Sequence, residues 1–488
     1  MSWARPAALA AAIAAGCSSG GSSTLPPGRD PDVADPGPGE RDVIVHLFQW
    51  PWASVAAECT DVLGPLGFGG VQVSPPQEHV VLPERGFPWW QDYQPVSYQL
   101  VSRRGDRAAF AAMVEACHAA GVAVYVDAIL NHMAGGASTG PGSAGSAFTH
   151  YDYPAVPYGG ADFHDCNLTA DDDIAVWTSR PQVQTCELVD LADLATETDP
   201  VRDRLAAYLD DLQSLGVDGF RIDAAKHVPL ADLAAVFDRL GDPPAVYSEV
   251  IEGGPGEIDP VEYVRTGDVT EFRYGDVVSA AFESGALADL EDLPSRMRLP
   301  SDDAVAFIDN HDTQRNGRAV LTYKDGDLYA LAEAFLLAYP YGTPQVMSSF
   351  AFDGADQGPP ADEDGTTRAV ECGDGWVCEH RARTTTNLVA FHAAVAGTEL
   401  TDWWTNGSDQ IAFGRGEAGF AAWNLGDDDL VEVLTTRLPP GTYCDVARGD
   451  FDDGACTGPT VTVEADGAIA VEIPPRSMLA IHVGAVVE

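Results

Sequence analysis

From residue 42 onward, short apolar runs alternate with longer stretches in which apolar positions recur every three or four residues. The runs at 43–48, 70–73, 122–129, 217–222, 245–247, 304–308 and 345–347 are aliphatic or β-branched, and Gly, Pro or polar residues bound them. They read as strands. Between them, 107–120, 200–215 and 230–240 carry the period of amphipathic helices. Strand and helix alternating in this order predict parallel strands joined by crossover helices. A weaker run at 269–272 brings the strands to eight, which favours an α/β fold of the (β/α)8 TIM-barrel kind.

Two intervals break the rhythm. Residues 134–193 are rich in Gly, Ser and Asp and far too long for an ordinary strand-to-helix loop. They predict a small domain inserted after the third strand, leaving 42–133 and 194–396 for the barrel. Beyond 396 the runs become short and alternating, at 410–415, 419–424, 430–435 and 468–473, with turns rich in Gly, Asp and Pro. That pattern predicts a C-terminal antiparallel β-sandwich over 397–488.

The N-terminus reads differently again. Arg5 precedes an apolar run at 7–15 that is long enough for a signal sequence and too short to span a bilayer. Cys17 follows Gly16 in a lipobox-like setting, so residues 1–17 are a signal or lipoprotein segment and Cys17 a lipidation candidate. Residues 18–41, rich in Ser, Gly, Pro and Asp, read as a flexible linker. An extracellular location follows, either secreted or tethered to the outer cell surface.

The formal charge of −48 argues against nucleic acid as a partner, whose phosphates would be repelled. Nine cysteines less Cys17 leave an even number, which in an exported chain suggests disulfides. The short spacings make Cys372 with Cys378 and Cys444 with Cys456 natural local pairs, and Cys166 and Cys186 share the insert. A metal cluster is the rival reading, although no CxxC spacing supports it.

Chemistry concentrates at four strand ends: DAILNH at 127–132, GFRIDAAKH at 219–227, SEV at 248–250 and FIDNHD at 307–312. An aspartate closing a strand is more often a cap or a loop hydrogen-bonder than a reactive group. In a barrel, however, strand ends share one rim. Asp223, Glu249 and Asp312 would then converge with Arg221, His132 and His311. Several carboxylates at one rim suit glycoside hydrolysis, which needs one ionised carboxylate and one protonated acid flanking the bond.

These four segments resemble the signature regions of the α-amylases in glycoside hydrolase family 13, in particular the animal-type branch shared with actinobacterial enzymes. PWWQDYQPVSY at 88–98, AYPYG at 338–342, VMSS at 346–349, AFGRG at 412–416 and GTYCD at 441–445 extend the resemblance from about residue 42 to the C-terminus. It implies a retaining mechanism with Asp223 as nucleophile and Glu249 as general acid and base, their carboxyl groups roughly 5 to 5.5 Å apart. Asp312 would stabilise the transition state, and Arg221 would keep Asp223 ionised. Trp89, Trp90, Tyr93 and Gln94 would line the sugar cleft. His132 and His311 would bond the sugar in the cleavage subsite, and Lys226 with His227 would line the leaving-group side.

The resemblance further implies a structural calcium held by the side chains of Asn131 and Asp193 and by the carbonyls of Gln184 and His227, all oxygen donors as a hard cation takes. It implies the disulfides Cys59–Cys117, Cys166–Cys186, Cys372–Cys378 and Cys444–Cys456. Chloride is the point of departure. The animal enzymes hold it with two arginines and an asparagine; Arg221 and Asn310 match two of these positions, but the third falls on neutral Gln345, so chloride is not expected to be required. The glycine-rich loop those enzymes carry after Asp312 is absent at 313–320. The expected protein is a monomeric endo-acting α-1,4-glucan hydrolase acting on polysaccharide or oligosaccharide. Its alternatives are a transglycosylase or maltooligosaccharide-forming enzyme of the same family, and a non-catalytic surface glucan-binding lipoprotein.

Overall fold

Eight parallel strands close into a barrel: β1 Ile44–Leu47, β2 Gly70–Val73, β3 Ala123–Ile129, β4 Gly219–Asp223, β5 Ala245–Ser248, β6 Asp268–Glu271, β7 Ala304–Ala306 and β8 Thr343–Ser348. Closure comes from β8 pairing with β1, Ile44 standing beside Gln345 and Leu47 beside Ser348. The computed structural model describes residues 41–487. The signal-like segment, the Cys17 lipidation candidate and nearly all of the linker lie outside the described residues.

Ile44, Tyr125, Tyr247 and Val305, one from each odd-numbered strand, form an apolar layer inside the barrel, the alternate-strand layering that fills such barrels. Tyr125 fits because the neighbouring strands carry glycine beside it. A Cβ at Gly70 or Gly219 would stand 2.7 Å from its ring. The Tyr247 hydroxyl ends that layer by donating to Gln72 Oε1 at 2.8 Å, and polar side chains occupy the interior from there.

Helices cover the outside with the expected stripe. In Arg107–Ala119 the buried residues are Phe110, Met113, Val114 and Cys117, and Asp106 caps the first turn by accepting from the Ala109 N–H at 2.9 Å. Some predicted bounds shift. The fourth strand begins at Gly219 rather than 217, because the Asp218 side chain, not the main chain alone, meets β3 there by accepting from the Val124 N–H at 2.7 Å. The seventh strand ends at Ala306, and the helix predicted over 230–240 ends at Phe237.

Between β3 and β4 the chain leaves the barrel and returns through an antiparallel pair, His132–Gly135 with Leu191–Asp193, in which His132 faces Asp193. At the other end, β9 Leu400–Thr405, β10 Gln410–Arg415, β11 Gly419–Asn424, β12 Leu430–Thr435, β13 Gly441–Cys444, β14 Thr460–Val463, β15 Ala468–Ile473 and β16 Ser477–His482 form two sheets, ordered β9-β10-β11-β16 and β12-β15-β14-β13. Phe420, Leu434, Ile469, Val471 and Leu479 pack between them. The outer face of the first sheet packs on the barrel, Trp423 and Phe413 lying 5.6 Å and 5.8 Å from the rings of Phe335 and Tyr339. Strands β10 and β11 are therefore buried on both faces, whereas β15 alternates.

All four expected disulfides are present: Cys59–Cys117, Cys166–Cys186, Cys372–Cys378 and Cys444–Cys456. No helix among the described residues is long and apolar enough to cross a membrane.

Candidate active site

Arg221 and Asp223 lie two residues apart on β4, so both side chains leave the strand on the same face. Arg221 Nη1 donates to Asp223 Oδ1 at 2.7 Å and to Asp127 Oδ1 at 2.6 Å. Asp127 is its register neighbour on β3. The other end of the guanidinium, Nη2, forms an ion pair with Glu249 Oε1 at 2.6 Å. That contact is out of line for a hydrogen bond, because Oε1 has no hydrogen-bond partner. Glu249 Oε2 accepts from the Ala224 N–H at 3.0 Å. Ala224 holds a left-handed conformation at φ 49°, ψ 30°, uncommon for a residue with a side chain, and this turn aims its N–H at the acid. His311 Nε2 lies 3.5 Å from Asp312 Oδ2, and the His311 ring stacks on Tyr93, whose hydroxyl reaches Asp127, which brings the β7 end to the same rim.

Burial pushes the carboxyl groups of Asp223 and Glu249 up from their ordinary range, neighbouring carboxylates add to the shift, and Arg221 opposes it. Burial also raises Asp312, against Arg221 and Arg315. Carboxyl groups gathered this closely in a buried rim oppose one another's ionisation, which favours a proton on one of them. Asp127, fully buried, is pushed up to about 6. It accepts the Tyr93 hydroxyl at 2.8 Å.

Aromatic side chains wall this rim. The His311 ring stacks on Phe48 at 4.8 Å and on Tyr93 at 5.3 Å, with Trp89 edge-on at 5.4 Å. A groove of about 540 Å³ runs outward between Trp90, Tyr93 and Gln94 on one side and Val189 and Leu191 of the insert on the other. Gln94 Oε1 ties the two sides together, accepting from the Gly135 N–H at 3.1 Å and the Ser138 hydroxyl at 2.9 Å. His132 is buried, and its Nε2 faces the Tyr93 carbonyl at 3.0 Å. Lys226 Nζ pairs with Glu257 at 2.9 Å, and His227 Nδ1 faces the Val183 carbonyl at 2.9 Å.

Residues 63–253 match the family described as "Alpha amylase, catalytic domain", and 403–484 match "Alpha amylase, C-terminal all-beta domain". An α-amylase of Thermomonospora curvata is 51% identical over 460 residues, spanning 92% of this chain and 74% of the relative. The chain belongs to the α-amylase family. It is thus a glycoside hydrolase of that family. An α-amylase of the beetle Tribolium castaneum is 46% identical over 470 residues, spanning 91% of this chain and 95% of its own. The crystal structure of α-amylase I from the earthworm Eisenia fetida superposes with a TM-score of 0.87 at 39% identity, covering 91% and 97% of the two chains. A Glu-to-Gln variant of that earthworm enzyme has been solved in complex with maltohexaose.

Members of this family commonly bind calcium, and the expected oxygen donors can be located. Asn131 and Asp193 are buried close together, the Leu194 N–H donating to the Asn131 carbonyl at 2.9 Å. The helix Arg180–Thr185, which carries Gln184, packs on the turn Ala225–His227. Burial pushes the Asp193 carboxyl up to about 6, and His164, itself raised to about 9 by Asp193 and Glu197, holds its Oδ2 at 2.6 Å. A carboxylate, a side-chain amide and main-chain carbonyls are the oxygen donors that a hard cation takes.

Some α-amylase rim residues escaped the reading of the sequence. Asp127 opens a recognised motif, but only its register with Arg221 reveals the ion pair. Trp177, in the insert, lies 5.5 Å from Lys226 Nζ and 5.9 Å from the His227 ring while remaining 42% exposed. Nothing in its local sequence, DDDIAVWTSR at 171–180, marks it. Gln345 donates to Gln72 Oε1 at 2.8 Å and to the Tyr247 hydroxyl at 3.2 Å, so its amide is absorbed into the barrel interior.

Proposed function

We propose that this α-amylase is an exported, retaining, endo-acting enzyme that cleaves α-1,4-glucosidic bonds of starch, glycogen and maltooligosaccharides. The observation carrying the reading is the single guanidinium of Arg221 spanning Asp223 and Glu249. Two carboxyl groups bridged this closely suit the short separation of a double displacement better than the wider gap that admits a water.

In the first step Asp223, kept ionised by Arg221, attacks the anomeric carbon. The glycosidic bond breaks, and Glu249 gives its proton to the leaving oxygen. In the second step Glu249 takes a proton from water, whose oxygen displaces Asp223 and regenerates the free carboxylate. Asp312 faces the developing oxocarbenium charge. Glu249 suits the acid role because its Oε1 lacks an aligned N–H, whereas Asp223 receives one from Arg221. Trp89, Trp90 and Tyr93 offer ring faces to the sugar, Gln94, His132 and His311 are its polar neighbours, and Lys226 and His227 flank the departing chain.

Asn131, Gln184, Asp193 and His227 would hold calcium, which when bound supplies positive charge that fastens the insert to the turn following Asp223. Chloride is not required in this reading, since Gln345 is neutral and engaged. Four disulfides fit an oxidising compartment, and lipid on Cys17, tested by N-terminal mass analysis, would tether the enzyme to the outer cell surface. The protein works as a monomer.

Incubation with soluble starch, following viscosity, product size and product anomer, tests the reaction. Rapid viscosity loss with retained anomers is expected; new longer chains would mark a transglycosylase, a single dominant short product a maltooligosaccharide-forming enzyme, and binding without cleavage a glucan-binding surface protein. A Glu249→Gln protein with full activity would remove the assignment of the acid.

A further inference from the structure

Arg315 is a second guanidinium beside the acid cluster, and the steps above do not use it. Its main-chain N–H donates to the Asp312 carbonyl at 2.9 Å. Its Nη1 donates to the His311 carbonyl at 2.7 Å and to Gln314 Oε1 at 3.1 Å, while Nε and Nη2 are buried with no hydrogen-bond partner. Rings hold the cation instead: its centre lies 4.0 Å from Phe352, 4.9 Å from Phe350, 5.1 Å from Phe48 and 5.7 Å from Trp89. Ring faces attract a cation without neutralising it, so such a cage keeps a positive charge where a carboxylate partner would cancel it. Phe48 and Trp89 are also among the rings that contact His311.

We propose that Arg315 is a positioning residue of the glycosidase reaction, one that supplies through space the positive charge keeping Asp312 ionised and that braces the rings around His311. The inference rests on the roles assigned above to Glu249 and Asp312. Arg221 makes its close contacts with Asp127, Asp223 and Glu249, and among the described residues its ion pairs do not include Asp312. Arg315 supplies the second positive charge, its guanidinium held at the His311 carbonyl one residue before Asp312. The other titratable groups facing it are Asp309, Glu379, Tyr323, Tyr93, His46 and His311. Burial pushes Asp309 and Glu379 up, to about 8 and about 7, and raises both tyrosines. It keeps both histidines neutral. Asp312 is the carboxyl group among these that stands beside the histidine whose carbonyl Arg315 holds, and the Arg315 charge opposes the rise that burial gives it.

The test is the pH profile of kcat/KM on a soluble maltooligosaccharide for Arg315→Gln, Arg315→Met and Arg315→Lys, with melting curves to confirm folding. Loss of a nearby cation raises the carboxylate's proton affinity, so the acid limb of the two neutral variants is expected to move up by about one pH unit. Their kcat is expected to fall about tenfold, with KM within about twofold. Lysine restores the limb but not the whole of kcat, since it keeps the charge and loses the planar stack. An acid limb unmoved in folded Arg315→Gln, or one displaced in Arg315→Lys as far as in Arg315→Met, overturns the proposal. Should neither neutral variant fold, Phe352→Leu decides, since it loosens the cage and leaves the charge: lower kcat with the limb in place supports the role, and unchanged kcat overturns it. Failure of the underlying assignment has another signature, an inactive wild type or a fully active Glu249→Gln protein.

Discussion

Arg221 and Asp223 are joined within a single strand, Nη1 to Oδ1 at 2.7 Å, while the same N–H group reaches Asp127 on the next strand at 2.6 Å. The carboxylate proposed as nucleophile is thus aimed and kept charged by its own strand. Lysine at 221 has a single ammonium and cannot span Asp223 and Glu249 as a planar fork does. Arg221→Lys is expected to lower kcat/KM about a hundredfold, with little change in melting temperature. Near-wild-type turnover would show that the bridge is dispensable.

A second carboxylate cluster sits behind the rim and governs stability. The Tyr329 hydroxyl lies 2.8 Å from Asp309 Oδ1 and 2.9 Å from Glu333 Oε1. One hydroxyl hydrogen cannot serve both, so one carboxyl group must be protonated. Burial raises both, Asp309 from 3.8 to about 8. Because the folded pKa lies above the unfolded one, the stabilising contribution is present in full below pH 4 and is lost as the pH rises from there to about 8. Glu333→Gln keeps the hydrogen-bonding shape without the ionisation. It should melt close to wild type at pH 5 and above it at pH 8, and identical pH dependence in the two proteins would contradict the linkage.

Calcium removal should act on both the fold and the rate. The proposed donors join the insert to the turn that follows Asp223, so excess chelator is expected to lower melting temperature and activity together, and added calcium to restore both. Asp193→Asn should begin from the lower melting temperature and respond little to chelator. Unchanged melting of the wild type in chelator would remove the site.

Chloride should make no difference. Gln345 brings no positive charge and spends its amide on Gln72 and Tyr247. Turnover of carefully desalted enzyme is expected to stay constant as chloride is added at fixed ionic strength. A several-fold rise would show that an anion is bound beside Arg221 without a second arginine.

The disulfide Cys59–Cys117 closes 58 residues between two helical segments outside the barrel. Chain-entropy estimates for a loop of this length give about 4 kcal/mol. Replacing both cysteines by alanine should lower the melting temperature in non-reducing buffer and abolish the effect of reductant at this pair. An unchanged melting temperature would place the stabilisation elsewhere.

The sequence by itself determined the barrel and the sandwich, because burial patterns are local: strands buried on both faces read as continuous apolar runs, and the outer strands of the sandwich alternate. It also determined which strand ends carry carboxylates, since Asp223, Glu249 and Asp312 stand in short motifs at those ends. Other relationships join residues far apart in the chain, and only the tertiary structure decided them. Asp127 meets Arg221 through strand register, Trp177 returns from the insert to cover Lys226, and Phe48, Trp89, Phe350 and Phe352 close around Arg315. Contacts of this kind depend on how the barrel closes and where its loops return. An arginine three residues past Asp312 has no local pattern to mark it, and its setting exists only once the ends of β1, β2, β7 and β8 share one rim.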